Sequence, residues 1–79
     1  MPEFWNSPKL RVLRGSIVTA GAPATCDIHN PSRNGATLRL PKADGLPSAF
    51  VLDVDNHSSV ACSVVRRSRF EVVVRFDRL

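Results

Sequence analysis

The chain has no tyrosine, two cysteines, one methionine, one tryptophan and seven acidic residues among its 79. It also has no apolar run near the roughly 20 residues that a membrane-spanning helix needs. The chain has two histidines, two cysteines and seven acids, so few sets of residues could form a catalytic site. The composition therefore argues against a self-contained enzyme. The first residues carry neither a basic start nor an apolar stretch, so we expect no secretory signal and a cytoplasmic location.

The remaining composition is that of a short, basic, globular chain. Hydrophobic residues make up 43%, a fraction that is ordinary for a folded domain and too high for a disordered one. A chain this short forms one domain and buries only about 60% of its unfolded surface, so nearly all apolar residues must join the core. The net charge is +4, and Arg rather than Lys dominates, which suits phosphate or carboxylate binding unless the charge is simply a solvated surface.

Turn-forming residues divide the chain into segments of strand length, within which apolar and polar residues alternate. Six strands are predicted, at residues 11–19, 25–30, 35–40, 49–54, 60–67 and 69–76. The inward face of the last strand is predicted to hold Phe70, Val72, Val74 and Phe76. Because closure removes exposed strand edges, we expect an all-β, six-stranded antiparallel barrel over residues 11–79, with an irregular arm at residues 1–10. An open sheet sandwich is the alternative.

Four residues could in principle ligate a metal, namely Cys26, His29, His57 and Cys62, but none of their spacings matches a known metal-binding pattern. Cys26 lies on the same predicted strand face as Ile28, and Cys62 lies on the same face as Val60 and Val64. We therefore expect both cysteines to be small, buried apolar residues. We expect the two histidines to lie in solvated loops. No catalytic residue, metal site or cofactor is therefore predicted.

One loop, Asn30-Pro31-Ser32-Arg33-Asn34-Gly35, combines an amide, a hydroxyl and a glycine at fixed offsets. Taken alone, it predicts a loop whose Asn and Ser cap backbone groups and whose Gly takes a positive φ. Asn30, Ser32 and Gly35 also fill the three positions of the D/N-x-S-x-x-G motif of PilZ domains. The flanking strands and the closing hairpin follow in the family's order. From residue 8 to residue 77, the chain resembles the small single-domain PilZ proteins of alphaproteobacteria.

The resemblance implies a six-stranded barrel and a bacterial receptor or adaptor for the second messenger cyclic di-GMP. It implies that Asn30 and Ser32 hydrogen-bond a guanine edge or a phosphate, and that Gly35 lets the backbone approach the ligand. The family's R-x-x-x-R motif aligns with Trp5 and Lys9, so both of its arginines are missing. Lys9 keeps a positive charge without the bidentate fork of an arginine, and Trp5 could only stack on a base.

Binding is therefore expected to be weakened, with Lys9, Arg11 and Arg14 as the residues that would neutralise the phosphates. Arg11 and Arg14 lie three residues apart, so on a regular strand their side chains would point to opposite faces. A one-residue bulge would be needed to bring them together.

The missing arginines leave two further hypotheses. In one, the barrel does not bind the nucleotide and acts through a protein partner contacted by Phe4 and Trp5, unless these two residues fold back and cap the barrel. In the other, the chain is a basic small barrel that binds nucleic acid. We place this last, because Phe50, Phe70 and Phe76 are predicted to face inward instead of stacking on bases.

Overall fold

Six antiparallel strands form a closed barrel in the computed structural model, which describes residues 13–19, 21–55 and 57–77. The strands are β1 (Leu13–Val18), β2 (Ala24–His29), β3 (Gly35–Arg39), β4 (Ala49–Val54), β5 (Ser59–Arg67) and β6 (Glu71–Phe76). Their order around the barrel is β1-β2-β3-β6-β5-β4, and β4 pairs with β1 to close it. The predicted all-β, six-stranded antiparallel barrel is confirmed.

The connections between strands gather at two ends of the barrel. The antiparallel pairings put the β2–β3 loop, residues 30–34, at one end, which we call the loop end. The β5–β6 turn and the connection from β3 to β4 lie at the opposite end, which we call the hairpin end. That connection contains a 3-10 turn, Ala43–Gly45, where the sequence showed only turn-forming residues. In the described part of the chain, no helix is long and apolar enough to cross a membrane.

The core is formed by alternate residues from all six strands. Ile17 of β1, Leu38 of β3 and Leu52 of β4 have no exposed surface. Burying each such side chain contributes roughly 1.5–3 kcal/mol, which a domain of this size needs to fold. Cys26 and Cys62 are 2% and 1% exposed and belong to the same core, with free thiols. The prediction that both are buried apolar residues is confirmed.

A bulge in β5 changes the faces to which its last residues point. Pairing of β5 with β6 shifts register between Val64 and Arg66. Strict alternation would put Arg66 on the inward face and Arg67 on the outward face. After the bulge, Arg67 lies opposite the buried Val72, and Arg66 lies opposite Val73 on the outer face. The expected alternation is therefore wrong for the end of this strand.

Arg67 holds two parts of the hairpin end together. Its Nη1 donates hydrogen bonds to the backbone carbonyl oxygens of Leu46 and, at 3.4 Å, Asp44, at the end of the 3-10 turn. Arg67 is half-buried, whereas Arg66 and Arg69 are exposed. Of these three arginines, Arg67 is therefore held against the barrel while Arg66 and Arg69 lie in solvent.

Phe70 is 57% exposed, so its predicted inward orientation is wrong. The N–H of Ser68 donates to the carbonyl oxygen of Glu71 at 2.7 Å, which closes the turn before β6 begins at Glu71. Phe70 thus precedes the alternation of β6, whose start lies two residues later than the sequence suggested. Phe50 and Phe76 are buried as predicted. One of the three aromatic residues that argued against base stacking is consequently on the surface.

Candidate functional site

The hydroxyl of Ser32 organises the β2–β3 loop. Its Oγ accepts hydrogen bonds from the backbone N–H groups of Asn34 and Gly35, both at 3.2 Å, and donates to the carbonyl oxygen of Gly35 at 3.1 Å. A hydroxyl has one donor position and two acceptor positions, so these bonds occupy all of them. The loop-capping role predicted for Ser32 is confirmed, and a ligand would have to compete with the loop for this hydroxyl.

The left-handed residue of this loop is Asn30, with φ of 48°, a conformation that Asn tolerates better than most residues. None of the glycines in the described ranges has a positive φ, so the positive φ expected at Gly35 is wrong. Gly35 is needed for a different reason. A Cβ at this position would lie well within 3.0 Å of the carbonyl oxygen of Val74, because the backbones of β3 and β6 approach closely there.

A surface groove of about 370 Å³ begins at this loop and crosses β3, β6 and β5 on the outside of the barrel. We call it the groove. Its lining comes from the loop and from the three strands: Asn30, Ser32, Asn34, Gly35, Ala36, Thr37, Val65, Val73, Val74 and Arg75. The carbonyl oxygen of Asn34 accepts the N–H of Phe76 at 2.7 Å, which fixes the loop against the end of β6.

The groove has an apolar floor and a polar rim. Val65, the bulge residue, is 65% exposed, and the half-buried Val73 lies beside it on β6. This surface can accept a flat ring. Asn30 and Asn34 are exposed at the loop end, and each amide offers two donors and an acceptor that can read the edge of a ring.

Positive charge prevails around the groove. Arg75 lines it, Arg33 is exposed in the loop, and Arg66 lies opposite Val73 in the register of β5 and β6. The carboxylate of Asp77 lies 3.5 Å from the Arg75 guanidinium. The surroundings therefore favour an anionic ligand.

The structure brings together three of the six predicted ligand-binding residues and separates a fourth. Asn30, Ser32 and Gly35 all line the groove. Arg14 does not line it, since it lies on β1 with its Nε 3.5 Å from Oδ1 of Asp27. Lys9 and Arg11 lie outside the described residues, as do Phe4 and Trp5, the predicted partner-contact residues.

Sequence reasoning missed several residues that the groove contains. Arg75 and Val73 were predicted on the outer face of β6, but nothing in the sequence says that β6 pairs with β3 beside the loop. The position of Val65 depends on the bulge, which the alternation of residues does not reveal. Glu71 brings no negative charge to the groove, since its Oε2 lies 3.1 Å from Nε of Arg39 and it does not line the groove.

The two thiols lie inside the barrel, away from this surface. Burial raises the pKa of the Cys26 thiol to about 11 and that of Cys62 to about 12. Both are therefore protonated at neutral pH and poor nucleophiles. Across residues 13–19, 21–55 and 57–77, no three His, Cys, Asp or Glu residues are grouped so that they could hold a metal ion.

Comparison with known proteins gives no matching family model, no matching curated protein and no matching solved structure. The groove and the motif in the β2–β3 loop are consequently the features that point to a function.

Proposed function

We propose that this protein is a PilZ-type receptor or adaptor that binds cyclic di-GMP in the groove. One observation carries the proposal: Asn30, Ser32 and Gly35 lie at one end of a groove that also contains the cation Arg75 and an apolar floor. Cyclic di-GMP has two negative charges and two flat bases. A cation, exposed amides and an apolar surface are the matching chemistry for such a ligand.

In this arrangement a guanine base lies on Val73 and Val65, with its edge toward the amides of Asn30 and Asn34. A phosphate then lies toward Arg75. Because Ser32 already uses its hydroxyl within the loop, its contribution is to hold Asn34 and Gly35 in position.

The binding is expected to be weak. The two arginine positions of the family motif hold Trp5 and Lys9. Each charge-assisted hydrogen bond contributes about 1.5–3 kcal/mol, so losing both arginines moves a micromolar dissociation constant toward the millimolar range. Other cations near the ligand would have to restore part of this lost binding free energy.

Calorimetric titration with cyclic di-GMP, with GTP as the control ligand, tests the proposal. We expect saturable heat with cyclic di-GMP and weaker or no heat with GTP. In a second titration, Asn30→Gly removes the amide but keeps a residue that adopts φ of 48° without strain. It should weaken binding without lowering the melting temperature.

Arg69→Ala at the hairpin end is the matched control, because it removes an exposed charge far from the loop. It should leave the affinity nearly unchanged. Absence of heat up to roughly millimolar ligand, the range expected for the weakened site, would contradict the proposal if circular dichroism shows a folded barrel.

A second function, contact with a protein partner in the absence of the nucleotide, is favoured by Phe70. This side chain is 57% exposed at the hairpin end and directly follows the exposed Arg69 in the chain. Segment 40–43 lies alongside, since the N–H groups of Leu40 and Ala43 donate to the carbonyl oxygens of Phe70 and Arg69. An exposed aromatic residue beside an arginine is typical of an interface centre.

Phe70→Ser tests this second function, with Asn30→Gly as its control. If the hairpin end binds a partner, Phe70→Ser abolishes capture of that partner and Asn30→Gly does not. Equal capture by both variants would contradict contact through Phe70.

A further inference from the structure

Arg75 is the cation that lines the groove within the described part of the chain. It lies on the outer face of β6, opposite Gly35 of β3 on one side and Ser63 of β5 on the other. Its side chain is 66% exposed. A ligand in the groove can therefore reach the guanidinium without moving the barrel.

The counterion of Arg75 is held more firmly than Arg75 itself. Oδ2 of Asp77 accepts a hydrogen bond from the hydroxyl of Ser63 at 2.6 Å, and the backbone N–H of Asp77 donates to the carbonyl oxygen of Ala61 at 2.8 Å. By contrast, Nη2 of Arg75 lies 3.5 Å from Oδ1 of Asp77. A single long ion pair at an exposed site is weak, so Arg75 can exchange its partner while Asp77 stays in place.

A guanidinium has five N–H donors, and contact with Asp77 through one nitrogen leaves donors free for a planar, bidentate contact with a phosphate. The exposed Arg33 and Arg66 add positive potential without lining the groove. Asp77 is the acid that faces Arg75, and its negative charge opposes any anion that approaches.

We infer that Arg75 is the anion-binding residue of the groove and that Asp77 lowers its affinity by competing with the bound anion for the guanidinium. The inference rests on the proposed function, which it deepens by naming a cation that the family motif does not contain. It gives the groove a phosphate contact that does not depend on the missing arginines.

The test is a set of titrations followed by NMR, with cyclic di-GMP and with inorganic pyrophosphate as a ring-free anion. Arg75→Gln removes the cation, and Asp77→Asn removes the competing charge while keeping an acceptor for Ser63. Arg39→Gln is the matched control, because Arg39 is also exposed, also ion-paired and on the adjacent strand, but it does not line the groove.

We expect Arg75→Gln to weaken binding of both anions by about tenfold or more, the loss that corresponds to one charge-assisted hydrogen bond. Asp77→Asn should strengthen binding by about threefold, as expected when a weak surface ion pair is removed. Arg39→Gln should change the affinity by less than about twofold, because exposed charges at a distance are screened.

The inference is overturned if Arg75→Gln weakens binding no more than Arg39→Gln does, or if Asp77→Asn weakens it in a folded barrel. Binding of cyclic di-GMP that does not depend on Arg75 supports the proposed function and refutes the inference. If pyrophosphate binds in an Arg75-dependent way and cyclic di-GMP does not bind, the inference about Arg75 is supported and the proposed function is refuted. If neither anion binds, both fail.

Discussion

The missing side chain of Gly35 lets β3 lie against the backbone carbonyl of Val74 on β6. A Cβ at Gly35 would lie well within 3.0 Å of that oxygen, a separation that real Cβ atoms do not adopt. The glycine of the loop motif therefore has a structural role before any ligand is considered. It sets the spacing of β3 and β6, two of the three strands that the groove crosses.

Gly35→Ala should lower the free energy of unfolding by about 3 kcal/mol, at the upper end for overpacking, because the atom that must move belongs to the backbone. Urea denaturation followed by circular dichroism measures this. Gly45→Ala is the control, because a Cβ there would have nothing within 4 Å and no positive φ to oppose it. It should be neutral or slightly stabilising. Equal stability of the two variants would contradict the close approach of β3 and β6.

Ser32→Ala should destabilise the protein by about 1 kcal/mol. The substitution removes the acceptor of two backbone N–H groups and one donor to Gly35, but the loop is exposed and water replaces part of these bonds. Ser32→Thr keeps the hydroxyl and should restore most of the loss. A Ser32→Ala variant with unchanged stability and unchanged loop amide shifts would show that the hydroxyl does not organise the loop.

Arg67→Ala should cost about 1–2 kcal/mol, because it leaves the carbonyl oxygens of Leu46 and Asp44 without their charged donor. The neighbouring Arg66→Ala should change stability by less than about 0.5 kcal/mol, as is usual for an exposed position. Chemical denaturation of the two variants side by side measures the difference. A larger loss for Arg66→Ala would mean that the bulge lies elsewhere in β5.

Alkaline pH should destabilise the protein through its two buried thiols. Their pKa values in the folded barrel are raised from 9.0 to about 11 and about 12, so above pH 9 the unfolded chain loses protons that the native state retains. Unfolding releases protons in this range, and stability is therefore present below pH 9 and falls as pH rises toward these values. The chain has no tyrosine to titrate in the same window.

Melting temperatures measured from pH 7 to pH 11 test this dependence. The variant Cys26→Ala/Cys62→Ala should start from a lower melting temperature, because core volume is lost, and then decline less steeply. An equally steep decline in the variant would show that other groups cause it.

The architecture was predictable because alternation of apolar residues marks which face of a strand is buried. The alternation in β4 gave its bounds and its buried residues correctly, from Ala49 to Val54. It fails at Phe70, since the turn that precedes β6 ends later than the pattern suggests. It also fails at Arg66 and Arg67, since an inserted bulge residue leaves no mark in the sequence.

The candidate site was predictable only in part. The loop motif drew attention to Asn30 and Ser32, which the structure places at one end of the groove. Arg75 could not be connected with them, because it is 40 residues or more from both along the chain, and the β3–β6 pairing that brings it near is set by barrel closure. The conformational role expected of Gly35 belongs to Asn30, since local sequence does not show how close a neighbouring strand lies.

The most direct measurement is a two-dimensional amide NMR titration of the full chain with cyclic di-GMP. The groove and Phe70 lie at different parts of the barrel, so the two proposed functions predict different sets of shifted signals. Our account predicts saturable shifts at residues 30–37, 65 and 73–75, and unchanged signals around Phe70. No saturable shifts in a folded barrel, or shifts confined to the hairpin end, would contradict it.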